Sequence, residues 1–202
     1  MKFTALDKLR DRIPLDSRFW IAFIFFGQGV CSIAFAGIVK IPPAEVFTPI
    51  LVLFLGGLCT LFFFKVGASG RWAQWQRVIP VFFYGLFICL MSSRSLAGVD
   101  VGYDVSFFFH PVEYMTLGLL LGWLWYPVID QKGFGSFALR VIIAGAVFGC
   151  ADEIHQAFVP GRDADVGDWM FDMAGIGLSV LIIAAIRHLM RPHLTNNQRA
   201  SG

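Results

Sequence analysis

Charge is scarce in this chain. Asp, Glu, Lys and Arg together supply 15% of the 202 residues, against about a quarter in an ordinary soluble domain, and hydrophobic residues supply 57%. With 22 Phe and a mean hydropathy of +0.69, that shortage excludes a soluble globular domain and predicts an integral membrane protein. An excess of one sign is missing as well. The net charge is +2, and there is no basic helix or zinc-finger pattern, so nucleic acid is excluded as a partner. Paired cysteines are also lacking. Cys31, Cys59, Cys89 and Cys150 each lie alone in a different apolar run with no histidine at ligand spacing, and read as small packing residues rather than a disulfide or zinc framework. There is no internal repeat, low-complexity segment or second domain, which ranks a transporter built from repeated halves last among the functional classes. No small-residue cleavage site follows the first apolar run, so that run reads as an uncleaved span.

What the chain does have is a series of apolar runs at about 19–39, 47–64, 78–93, 107–129, 137–158 and 168–186. They predict an all-α fold, a polytopic transmembrane helical bundle of about six spans. Residues 1–18 are charged but place Phe3, Leu6, Leu9 and Ile13 at helical spacing, which suits an amphipathic helix on the membrane surface. Pro42 and Pro43 mark a turn, and Lys65 to Arg77, with Trp72 and Trp75, reads as an interfacial loop. If the N-terminus is cytoplasmic, thirteen of the 16 Lys and Arg fall on inner segments, leaving Lys40, Arg94 and Arg162 outside. Cytoplasmic segments are enriched in these residues, so both termini are expected inside, with residues 191–202 a cytoplasmic tail.

The acidic residues run the other way. Six of the 14 fall between Asp152 and Asp172, at the edge of two apolar runs, where a carboxylate is costly unless it faces a partner, a cavity or a ligand. His110, Glu113 and Tyr114, at offsets of three and four, share one helical face at the start of the fourth span. Asp168 and Asp172 lie at a helix N-terminus, where the dipole favours them. Asp152 and Glu153 lie at a C-terminus, where it does not, and Arg162, folded back by Pro160 and Gly161, is the expected cation for that pair. His155 is expected at the rim, offset from Gln156 by about 100° on an ideal helix. Gly118 with Gly122, and Gly145 with Gly149, are small-residue pairs that predict contact between the fourth and fifth spans.

The run Glu153, Gln156, Pro160, Gly161, Arg162 and Asp168, followed by Gly175 and Gly177, resembles the signature of VanZ-like membrane proteins, the teicoplanin-resistance protein family. Ser92 and Ser93, then His110, Tyr114, Leu117 and Gly118, resemble that family's earlier motif of paired serines followed by a histidine and a tyrosine. These motifs fall within residues 78–190, which the resemblance makes a four-span domain, with residues 19–77 adding two N-terminal spans. The chain departs from the family pattern at Phe107 to Phe109, where an Asp-Lys pair is usual, and at Asp172, where an Asn is usual. The resemblance implies a bacterial inner-membrane protein and, for some relatives, lower sensitivity to glycopeptides. It brings no established reaction with it.

Three readings of the polar residues remain open at this point. In the first, an extracytoplasmic pocket binds an anionic envelope amphiphile, a wall-precursor lipid or lipoglycopeptide, through Arg162, Gln156, Asp168, Glu113, Tyr114 and Ser93. In the second, an intramembrane enzyme acts on a lipid head group with Glu153 as general base, His110 as general acid and Arg162 stabilising developing negative charge. In the third, the same groups form a structural network pinning four helices together, which is often no better than apolar packing. Ser92 and Ser93 read as cap or close-packing residues rather than nucleophiles. His110, Glu113, Glu153 and Asp168 are chemically suited to a metal, yet no spacing of the His-Glu-x-x-His kind is present, so no metal site is expected. Cofactor and oligomeric state are left undetermined, and the expected partners are membrane lipids.

Overall fold

A computed structural model describes residues 17–64, 70–94 and 106–199. The amphipathic segment expected over residues 2–18 lies almost wholly outside them, as do Lys65, Asp100 and Asp104. Among the described residues there are five helices and no strand: α1 (Ser17–Val39), α2 (Pro43–Phe63), α3 (Gly70–Ser92), α4 (Ser106–Gln156) and α5 (Val166–Arg199). Each contains a stretch long and apolar enough to cross a membrane, so the chain is a multi-pass membrane protein.

The ends of these helices follow from local chemistry. α1 stops at a Schellman motif in which Lys40 adopts φ 61° and the Ile41 amide donates to the Ala36 carbonyl at 2.9 Å. Ile41 and Ala36 then pack together with Val46. α2 begins at once, with Pro43 at its first position, where no intrahelical amide bond is lost. α3 begins at Gly70 and takes in Trp72, Trp75 and Arg77, which the sequence assigns to a loop. No proline falls between Gly70 and Pro80, so the polar interfacial turns simply continue the helix.

α4 is the longest element. Its 51 residues would extend about 77 Å if straight, more than twice a bilayer's hydrocarbon core. Instead the helix breaks at Gly133, at φ 82° and ψ 166°, a conformation that glycine adopts without a Cβ clash. The two arms, 106–132 and 134–156, double back on each other. The rings of Tyr114 and Phe148, 34 positions apart in sequence, lie 6.1 Å apart.

Lipid is as apolar as a protein core, so helix association here depends on close fit rather than on escape from water. The central core joins Phe25 of α1, Leu53 of α2, Tyr84 and Phe87 of α3, Tyr114 and Phe137 of the two arms, and Ile176 of α5. The glycine pairs expected to join the two arms chiefly receive α5. A Cβ on Gly145 would stand 2.6 Å from Ile176, and one on Gly118 would strike Ser179. The arms do meet at Gly149, 3.4 Å from Tyr114 on the same construction. Gly175 sets the depth of α5: a Cβ there would collide with the Pro111 carbonyl and stand 2.8 Å from the Met115 amide nitrogen.

The bundle has two unlike ends. At one, Arg77 and Phe64 pack on Trp123, and Arg187 lies over Tyr126 at 5.9 Å. At the other, the close of α3, both outer ends of α4 and the start of α5 bring the uncommon polar residues together.

Candidate functional site

That polar end is built on helix termini. Asp165 is the N-cap of α5, its Oδ1 accepting the Gly167 amide at 2.7 Å. The Asp165 amide in turn donates to Glu153 Oε2 at 2.8 Å, so the cap of α5 supplies a donor to a carboxylate in the last turn of α4. Asp168, in the first turn of α5, has the helix dipole in its favour.

Between α4 and α5 the chain makes a type II turn. The Arg162 amide donates to the Val159 carbonyl at 3.1 Å, with Pro160 at the second position and Gly161 at φ 80° at the third. The turn returns Arg162 over the end of α4. Its Nη1 donates to Gln156 Oε1 at 3.1 Å and its Nε to the Arg94 carbonyl at 3.2 Å. Among the described residues it pairs with neither Asp152 nor Glu153, contrary to the sequence expectation. The turn brings it to Gln156 first, and the amide stands between cation and carboxylates.

Gln156, only 1% exposed, therefore acts as a relay. Its Nε2 donates to Asp152 Oδ2 at 3.1 Å and more weakly to Glu153 Oε1 at 3.5 Å. Ser92 Oγ donates to the same Asp152 oxygen at 2.8 Å, joining α3 to α4. Ser93 points away from this core: its exposed hydroxyl lies 2.6 Å from the Cys89 carbonyl and 2.8 Å from His155 Nε2 at the rim.

A second group forms where the first arm of α4 meets α5. His110 Nδ1 lies 2.8 Å from Asp172 Oδ1, and its Nε2 lies 3.7 Å from Asp168 Oδ2. Asp172 is wholly buried, and its other oxygen, Oδ2, has no hydrogen-bond partner among the described residues. Tyr114, one turn after His110, stacks parallel to that ring at 6.4 Å and is also wholly buried, its hydroxyl without a hydrogen-bond partner among the described residues. Glu113, three positions after His110 on the same arm of α4, shares that residue's helical face. One donor atom each from His110, Glu153 and Asp172 lie within 4.8 Å of one another, which joins the two groups.

The residues singled out in the sequence thus converge from three helices and one turn, with Ser93 at the margin. Sequence reasoning did not pair Asp172 with His110 or Asp152 with Ser92, and gave no role to Asp165, Glu45 or the Arg94 carbonyl. Asp172 did carry a signal: four positions after Asp168, it shares that residue's helical face. Glu45 shows itself only in space, accepting from Arg94 Nη1 at 3.0 Å.

Fold and site together define a polytopic helical membrane protein with a buried, carboxylate-rich cluster at one end of its bundle. A family model described as VanZ/LLP1 matches residues 19–187, and so takes in α1 and α2 as well as the motif-bearing helices. The chain belongs to the VanZ-like family. No match was found among curated proteins or among solved structures.

Proposed function

We propose that this protein recognises an anionic envelope amphiphile, a wall-precursor lipid or a lipoglycopeptide, at the polar end of its bundle, and that it thereby affects susceptibility to glycopeptides such as teicoplanin. In this reading the polar end faces the extracytoplasmic side of a bacterial inner membrane and both termini are cytoplasmic. The arms of α4 count as two crossings, making six in all. The distribution of Lys and Arg supports that orientation.

The observation that carries the reading is the placement of Arg162. The carboxylates of Asp152 and Glu153 are buried, while the turn above them is open, with Gly161, Asp163 and Ala164 exposed. Arg162 lies between these layers, held by its Nε and Nη1, and its Nη2 donates to no other described residue. A guanidinium fixed in this way can receive a phosphate or carboxylate. Phe158, 82% exposed beside the turn, offers apolar surface to an acyl or prenyl chain.

Native mass spectrometry of protein extracted gently from its own membranes tests this. A phosphorylated amphiphile retained by wild type and lost from Arg162→Ala is the expected result; equal retention by both sinks the reading. The 2.8 Å contact of His110 with Asp172 supports a second reading, chemistry on the bound head group, because a carboxylate orients an imidazole for proton transfer. Glu153→Gln separates the two: recognition alone tolerates it, whereas catalysis is abolished with binding retained. If Glu153→Gln and Arg162→Lys alter thermal stability alone, the cluster is a structural network.

A further inference from the structure

We propose that His110, Glu153 and Asp172 bind one divalent transition-metal ion. The three come from separate places in the fold: the first arm of α4, the end of its second arm, and α5. Their donor atoms nevertheless gather within 4.8 Å, and all three residues are buried. Two further observations point to a ligand at the same spot. Among the described residues, Asp172 Oδ2 and the Tyr114 hydroxyl, both on residues without solvent exposure, have no hydrogen-bond partner, although buried oxygens almost always have one. They flank Gly149 together: a Cβ built there would lie 3.1 Å from Asp172 Oδ2 and 3.4 Å from the Tyr114 ring.

Charge leads to the same conclusion. Asp152, Glu153, Asp168 and Asp172 outnumber the cationic groups beside them, Arg162 and His110, and Gln156 stands between Arg162 and the first two, so excess buried negative charge needs a counter-ion. One imidazole with two carboxylates suits zinc, cobalt or manganese, whereas magnesium and calcium favour oxygen ligands alone. Donors about 2.0–2.2 Å from one tetrahedral ion stand roughly 3.3–3.6 Å from each other, so a pair at the 4.8 Å limit closes by about 1 Å or more as the ion enters. The ion takes the place of the hydrogen between His110 Nδ1 and Asp172 Oδ1; a neutral imidazole keeps its one proton by carrying it on Nε2, which faces Asp168, whereas an imidazolium releases its Nδ1 proton to solvent. The metal site goes beyond the amphiphile reading and does not depend on it, although a bound cation would add attraction for a phosphate at Arg162.

The test uses tag-free full-length protein in detergent, stripped with a chelator and titrated with Co²⁺ while visible absorption is recorded. Zn²⁺ is then added as competitor. The expected result is one saturable Co²⁺ per chain, displaced by Zn²⁺, with affinity lowered about 100-fold or more in Glu153→Gln and Asp172→Asn. Glu153→Gln conserves shape, so it keeps the test decisive if an Asp172 or His110 variant fails to fold. Wild type that binds no Co²⁺, or a folded Glu153→Gln that binds it as tightly as wild type, overturns the proposal. Co²⁺ bound by a protein that retains no amphiphile leaves the metal site standing and removes the lipid reading alone.

Discussion

Replacing Gln156 by Leu, alone and together with Ser92→Ala, measures what holds Asp152 in its buried place. Gln156 makes two bonds that count, Nε2 to Asp152 Oδ2 and Oε1 from Arg162 Nη1, both at 3.1 Å; its 3.5 Å approach to Glu153 is too long to add much. Bonds to charged groups contribute about 1.5–3 kcal/mol each in soluble proteins, whereas side-chain bonds inside membranes average about 0.6 kcal/mol. Two features favour the lower part of that range. Asp152 keeps Ser92 Oγ at 2.8 Å, and Arg162 keeps the Arg94 carbonyl at 3.2 Å. Gln156→Leu is therefore expected to cost about 2 kcal/mol and Ser92→Ala about 1 kcal/mol.

The double variant is the decisive one. It removes both donors to Asp152, and a carboxylate that is 5% exposed then has no way to exchange them for water. Its cost should exceed the sum of the single losses by at least about 1 kcal/mol, as is usual for groups sharing one partner. Equilibrium unfolding of the four proteins in mixed micelles, followed by tryptophan fluorescence, reads the whole cycle. Additivity within about 0.5 kcal/mol would refute the idea that the two donors act on Asp152 together.

Two further outcomes test the fold. Lys40→Gly should raise stability by about 0.5–1 kcal/mol in the same unfolding assay, since glycine adopts the φ of 61° that closes α1 without the cost borne by a residue with a side chain. Gly175→Ala should lower it by about 1–3 kcal/mol, because the new methyl meets backbone atoms at Pro111 and Met115 that cannot rotate away.

The elements of the fold were legible because each rests on a pattern along the chain. Apolar runs announced the helices, and the interruption around Gly133 announced the return of α4. The start of α3 was hidden because Trp72, Trp75 and Arg77 look alike in an interfacial loop and an interfacial helix. The site was legible in membership but not in pairing. Crowded carboxylates next to an arginine show that something is held there. Which carboxylate meets which partner depends on contacts such as Ser92 with Asp152 and His110 with Asp172, set by how deep α5 sits against Pro111. That depth follows from glycine at 175, whose meaning appears only once the facing backbone is known. Arg162 illustrates the same limit: charge alone assigned it to Asp152 and Glu153, and the reach of a four-residue turn gave it to Gln156 instead.

The same distinction between charge and position clarifies the role of α1 and α2, which the sequence left open. Among the described polar contacts, α2 reaches the site region through Glu45 and Arg94, paired at 3.0 Å with side chains 45% and 27% exposed. A pair so solvated contributes no more than about 1 kcal/mol, so it cannot be what holds these helices to the rest. Its effect lies in where it places Arg94. The carbonyl of that residue receives Arg162 Nε, and Arg162 in turn holds Gln156 over the carboxylates. The N-terminal helices thus bear on the site through a backbone atom at the end of α3 and, from α1, through Phe35, whose ring lies 4.4 Å from that of Phe109, the residue before His110. The family match begins at residue 19, so it includes these helices.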